Sequence, residues 1–163
     1  MGGLQMDLNY YQIGKKLKRL REEEGMTPFE ASIMAFPEML CCEDPEGIIL
    51  DAEAGRIHST YIIVTLANFF WVPLSYLTDN NGTRDVGKVS GKRNITFFSS
   101  NLRRIMKQQR ITCHELAIHT SISESSIRSY RSGRRSPTLK NLLIIAKSLG
   151  ASIDSLLEPT GDF

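Results

Sequence analysis

The chain has 163 residues, 41% hydrophobic and 23% charged, with a formal net charge of +2, enough to bury one sizeable core or two small ones. No apolar run reaches the about 18 residues of a membrane span, and the start, MGGLQMDLNYY, lacks a basic stretch followed by an apolar one, so no secretory signal is expected. Cys41, Cys42 and Cys113 are odd in number and two are adjacent, which argues against a disulfide framework and suits a reducing cytoplasm.

After a disordered start at 1–9, a first helical region is expected over 10–78. In IGKKLKRLREEEGMTPFEA, Ile13, Leu17 and Leu20 recur at the spacing of one helix face. Thr27 and Glu30 have the Thr-x-x-Glu form of a capping box, in which each side chain satisfies a backbone N–H of the first turn. In FPEMLCCEDP, the adjacent Cys41 and Cys42, even with His58, lack the C-x₂₋₄-C spacing of a zinc site and read as ordinary thiols. A third helix is expected within PEGIILDAEAG, Pro45 to Gly55, which carries Glu46, Asp51 and Glu53 and no cation. Near the last helix of this region Phe69, Trp71 and Tyr76 form an aromatic group that is either core or a surface for association.

Residues 79–95 read as a flexible, basic linker: TDNNGTRDVGKVSGKRN holds almost no large apolar side chain.

A second helical region is expected over 96–158, with a tail at 159–163. Phe98, Leu102 and Ile105 follow the i, i+4, i+7 spacing of an amphipathic helix. Thr112 and Glu115 repeat the capping box, so a second helix starts near Cys113. Ser123 is a good N-cap for a third, from about Glu124 to Ser132, and Gly133 is a good stop. SPTLKNLLIIAKSLG reads as a fourth, ended at Gly150, and SIDSLL as a short fifth capped by Ser152. His114 and His119, five apart, fall on different faces and do not share a metal.

The two regions share one grammar. Residues 13–31 lie over 98–116 without a gap, and LANFFWVPLSYL lies over IAKSLGASIDSL. Between these anchors Ala31 to Gly55 spans 24 positions and Leu116 to Gly133 spans 17, so the first copy carries seven extra residues around FPEMLCCEDP. Charge divides the copies: residues 27–83 hold eight acids and one base, residues 84–163 fourteen bases and six acids. A basic half suits a polyanion and an acidic one does not.

In SISESSIRSYRSGRRSP the two sides of the third helix differ. At about 100° per residue, Ile127 and Tyr130 share the core face, while Ser125, Arg128, Ser129 and Ser132 lie opposite, with Glu124 beside them. A charged outward face is ordinarily just solvated. Here it follows a short turn, Thr120–Ser123, in a basic half, with Arg103, Arg104, Lys107 and Arg110 able to flank it. Small hydroxyls and guanidinium groups fit a groove and meet base edges and phosphates, so a helix-turn-helix that contacts DNA is expected.

Residues 98–157 resemble the phage-repressor helix-turn-helix family (Cro-like, XRE) in the order and spacing of NLRRIMKQQRITCHELAIHTSISESSIRSYRSGRRSPTLKNLLIIAKSLGASIDSLL. The resemblance implies an all-α fold of two five-helix, lambda-repressor-like helix-turn-helix domains in tandem, the first a degenerate copy. It places base-reading positions at Glu124, Ser125 and Ser129, with Ser126 and Arg128 nearby, and phosphate contacts at Cys113, Ser132 and Arg134. With Ser123, Arg131 and Arg135, these make the full set expected at DNA. The family often has Gln where this chain has the weak donor Cys113. It also often pairs an Arg late in helix one with a Glu late in helix three. The second copy has Met106 and Arg131 there; the first has Arg21 and Glu53.

The function implied is a cytoplasmic transcriptional regulator, most simply a repressor acting as a homodimer on double-stranded DNA, with residues 10–78 used for association, sensing or a protein partner. The alternative is an antitoxin, a protein-interaction module that binds a partner and represses its own operon. No paired carboxylates, nucleophile elbow or Gly-rich phosphate loop suggests an enzyme, and no cofactor or metal is expected.

Overall fold

The computed structural model describes residues 8–79 and 93–159; residues 1–7 of the expected start, most of the linker and the end of the tail lie outside them. The fold is all-α: the described residues form helices, two short 3-10 segments and turns, with no strand. They divide into two compact units, one within 9–91 and one within 92–163.

In the first unit, α1 (Tyr10–Glu23), α2 (Pro28–Ala35), α3 (Gly47–Glu53), α4 (Thr60–Phe69) and α5 (Leu74–Thr78) follow in order, with a 3-10 segment at Pro37–Cys41. Asn9, expected in the disordered start, is the N-cap of α1 and accepts from the Gln12 N–H. The capping box at Thr27 and Glu30 is formed in full. Leu17, Leu20, Ala31, Ile63, Leu66, Ala67 and Leu77 are buried at the centre. Gly14 lets α1 lie directly on α3: a Cβ there would sit 2.7 Å from the Ala52 carbonyl oxygen and closer still to that of Glu53. Arg21 bridges the same pair of helices. Its Nε and Nη2 donate to the two oxygens of Glu53 at 2.5 and 3.0 Å, with side chains 9% and 8% exposed. Ser32, fully buried, donates its hydroxyl to the Pro45 carbonyl and ties the longer connection back to α2.

In the second unit, α6 (Phe98–Gln109), α7 (Cys113–Thr120), α8 (Glu124–Ser132) and α9 (Leu139–Ser148) enclose Phe98, Leu102, Leu116, Ile127, Leu142, Ile145 and Leu156. Two expectations need correction. The folded unit reaches back at least to Arg93 rather than starting at 96. Arg93 is 3% exposed and pairs with Asp154, and the Asn94 N–H donates to the Leu157 carbonyl at 2.8 Å. The expected fifth helix is a set of turns. Ser152 does cap it, accepting from the Ser155 N–H, but Leu157 N–H closes on Asp154 as a tight turn. The Asn101 amide then donates to the Leu156 and Glu158 carbonyls, at 3.2 and 2.8 Å, which a longer helix would have used internally.

Candidate nucleic-acid interface

The surface is built around the α7–α8 turn. The Thr112 hydroxyl accepts from the Glu115 N–H, and Glu115 accepts from the Thr112 N–H at 2.7 Å, which starts α7. Hydrogen bonds from the Thr112 backbone N–H and then its hydroxyl hold the Glu115 carboxyl below the usual carboxylate range. At the other end Ser121 is left-handed, φ 56°, and the Thr120 hydroxyl accepts from the Ile122 N–H at 3.3 Å. Ser123 then caps α8, accepting from the Ser126 N–H at 3.2 Å. Gly133, at φ 76°, ends it, and the Arg134 N–H turns back to the Ser129 carbonyl at 3.0 Å.

Core contacts fix which side of α8 faces out. Ile127 is fully buried. Tyr130 packs edge-on against Phe98, ring centres 6.3 Å apart, and its hydroxyl accepts from the Asn141 amide at 2.9 Å. The opposite side, with the start of α7 and one residue of α6, lines a concavity: Arg103, Cys113, Glu124, Ser125, Arg128, Ser129, Arg131, Ser132 and Arg134. The expected residues gathered there are therefore Cys113, Glu124, Ser125, Arg128, Ser129, Arg131, Ser132 and Arg134. Three lie outside that lining. The Ser123 and Ser126 hydroxyls are hydrogen-bonded to each other at 2.9 Å, and Arg135 is exposed beyond the helix end. Cys113 is only 5% exposed and its sulfur lies under Arg131, 3.7 Å from Nη1, so the guanidinium covers the thiol.

Electrostatically the concavity is a cationic rim with one acid among its lining residues. A neighbouring hollow that shares Arg103, Cys113, Glu124, Arg128 and Arg131 adds Lys107, Arg110 and His114. Glu124 accepts from Arg128 Nε at 2.9 Å and lies 3.1 Å from His114 Nδ1. The Arg128 hydrogen bond, with that of His114, holds the Glu124 carboxyl below the ordinary range, and Glu124 in turn raises Arg128. The pair is solvent-exposed and adds little stability; its effect is to aim the Arg128 guanidinium back along the helix. Nothing in the sequence marks His114 for this surface. It meets Glu124 across the turn, ten positions away, which no helix or strand period relates.

The corresponding helix of the first unit offers the opposite chemistry. Past the end of α3, Arg56 is engaged by Asp51 at 2.5 Å, Glu46 is exposed, and Leu50 is 42% exposed. Trp71, 58% exposed, has a left-handed φ of 53°; Phe69 and Tyr76 are half-buried, Tyr76 beneath the Lys16 ammonium. His58 stacks on Tyr10 at 4.2 Å, and no group of three His, Cys, Asp or Glu among the described residues is placed to hold a metal ion. No helix among them is long and apolar enough to cross a membrane.

Residues 101–162 match the family model described as the Cro/C1-type HTH DNA-binding domain. No curated protein and no solved structure matches the chain.

Proposed function

We propose that this chain, carrying a Cro/C1-type HTH domain over residues 101–162, is a sequence-specific regulator of transcription, acting as a repressor. In this reading α8 enters the major groove of duplex DNA. Ser125, Ser129 and Glu124 face base edges; Arg103, Arg131, Arg134 and Arg135 meet the backbone phosphates. The observation that carries it is the concavity itself: short hydroxyl side chains at its centre and guanidinium groups around them. A helix face without bulky apolar side chains fits a groove, and flanking cations gain affinity by releasing counterions. One domain of this size spans few base pairs, so the chain acts as a homodimer on a palindromic site, half-sites one helical turn or a multiple apart.

The first unit is a diverged copy of the same domain that has given up DNA for association or sensing. Its acidic α3 would meet phosphate with repulsion. A second reading, an antitoxin that holds a protein partner, is supported by the apolar side chains that unit exposes: Phe29, Met34, Leu40, Tyr61 and Trp71. Selection of bound duplexes from random DNA by the full chain tests the main reading. A palindromic motif supports it; recovery of unenriched sequence excludes base reading.

A further inference from the structure

The seven extra residues of the first copy bring three sulfur atoms that packing does not explain. Cys41 and Cys42 are exposed, and exposed thiols are an oxidative liability that proteins ordinarily avoid. Met39 is half-buried beside them. The segment Pro37–Cys41 is 3-10, and the Cys42 N–H closes it onto the Met39 carbonyl at 3.0 Å. Positions three apart on such a turn eclipse one another, so Met39 and Cys42 present their sulfurs on one side, 3.9 Å apart. Cys41 is the covalent neighbour of Cys42, its Cα about 3.8 Å away; it lies about 120° round the turn, and joining the pair requires its exposed side chain to rotate toward them.

We propose that Cys41, Cys42 and Met39 form a three-coordinate site for a soft monovalent metal ion, Cu(I). Metal–sulfur bonds of about 2.3 Å at trigonal angles put the sulfurs about 4 Å apart, close to the 3.9 Å between Met39 and Cys42. Two thiolates and a thioether are the donors that select Cu(I). Zinc asks for four ligands, and no His, Asp or Glu among the described residues is placed to complete a group of three with the cysteines. Zinc spacing, the ground on which no metal is expected from the sequence, does not bear on Cu(I). Binding converts two S–H groups, the Met39 thioether lone pair and one Cu(I) into three S–Cu bonds with release of two protons, and no electron is transferred, so affinity rises with pH. The site gives the sensing reading of the first unit a ligand, yet it does not depend on DNA binding.

The test is anaerobic titration of the full, reduced chain with Cu(I) against a chromophoric Cu(I) chelator. One ion per chain is expected. Cys41→Ser with Cys42→Ser should abolish binding. Met39→Leu should weaken it by at least the about 10–100-fold that losing an outer partner of a metal site costs. Cys113 stays in every variant. Alkylating the folded wild type, where Cys113 is 5% exposed, should give the same loss without any substitution. No binding by wild type, binding that survives the double substitution or alkylation, or a Met39→Leu affinity equal to wild type overturns the site. None of these readouts involves DNA.

Discussion

Arg21 and Glu53 close a two-pronged, nearly buried ion pair between α1 and α3, at 2.5 and 3.0 Å. In the sequence alignment of 13–31 with 98–116, and of Gly55 with Gly133, these two residues lie over Met106 and Arg131. Met106 is 3% exposed where Arg21 would stand, and Arg131, opposite Glu53 in the repeat, turns outward over Cys113. One unit uses two charges to hold its first and third helices; the other uses an apolar side chain and leaves a cation at the surface.

Glu53→Ala should therefore destabilise the first unit by about 3–5 kcal/mol, because the Arg21 guanidinium is left buried without its partner. Replacing Arg21 and Glu53 together by Met should restore most of that loss. Urea unfolding followed by the fluorescence of Trp71, the chain's one tryptophan, reads this unit alone. Equal instability of single and double variants would show that the charges themselves are needed.

Gly14→Ala should be worse tolerated than any surface change, since its Cβ meets backbone oxygens of Ala52 and Glu53 that cannot rotate aside. The repeat has Ser99 at the matching position, so α6 accommodates a side chain where α1 does not. The expected outcome is early loss of the Trp71 transition with the second unit's helical signal retained. A wild-type transition would mean that α1 and α3 separate cheaply.

Stability should fall at low pH through both capping boxes. The backbone N–H and hydroxyl groups of Thr27 and Thr112 donate to Glu30 and Glu115 and depress both carboxyls. A depressed carboxyl contributes its full stability above its unfolded value, about 4.3, and loses it as pH drops through the lower folded value. Glu115→Gln should flatten that acid limb for the second unit, and Glu30→Gln for the first. Melting temperature against pH, wild type beside each variant, decides it: parallel curves would remove the carboxylates from the account.

At the proposed DNA face, Ser129→Ala should relax preference at one base pair by about 1–3 kcal/mol. Arg134→Ala should weaken all duplexes alike and lower the salt slope by roughly one unit. Glu124→Gln should tighten binding to random duplex, because it removes the one acid lining the concavity and releases Arg128. Binding isotherms at several salt concentrations separate these effects. A change of base preference from Arg134→Ala with none from Ser129→Ala would refute the docking.

Cut near Gly87, the C-terminal piece should bind DNA with steep salt dependence, and the N-terminal piece should not bind even at low salt, where electrostatic attraction is strongest. Binding confined to the N-terminal piece would reverse the assignment.

What could be read from the sequence was local. Thr27 with Glu30, Thr112 with Glu115, and Ser123 with Gly133 mark helix ends within a few residues, and the helices begin and end there. What escaped was long-range. Arg93 sits in a polar stretch that reads as linker, yet it is buried and pairs with Asp154, 61 positions on. SIDSLL has helical spacing, but Asn101 on α6 captures the carbonyl of Leu156 and that of Glu158 just beyond it. At the candidate interface, the Ser/Arg face of α8 is visible from its period, whereas the covering of Cys113 by Arg131 and the approach of His114 to Glu124 depend on how α7 and α8 cross.

Tyr130 fastens α8 near its C-terminal end, by its ring to Phe98 on α6 and by its hydroxyl to Asn141 on α9. The angle at which the helix would meet a groove is thus set before any ligand arrives. Calorimetry of association with a duplex should then show a negative heat-capacity change no larger than the buried apolar contact accounts for, with none of the excess that accompanies folding on binding. Tyr130→Phe keeps the ring and drops the hydroxyl's link to Asn141, so any added heat-capacity change in that variant measures how much of the alignment the single hydroxyl maintains.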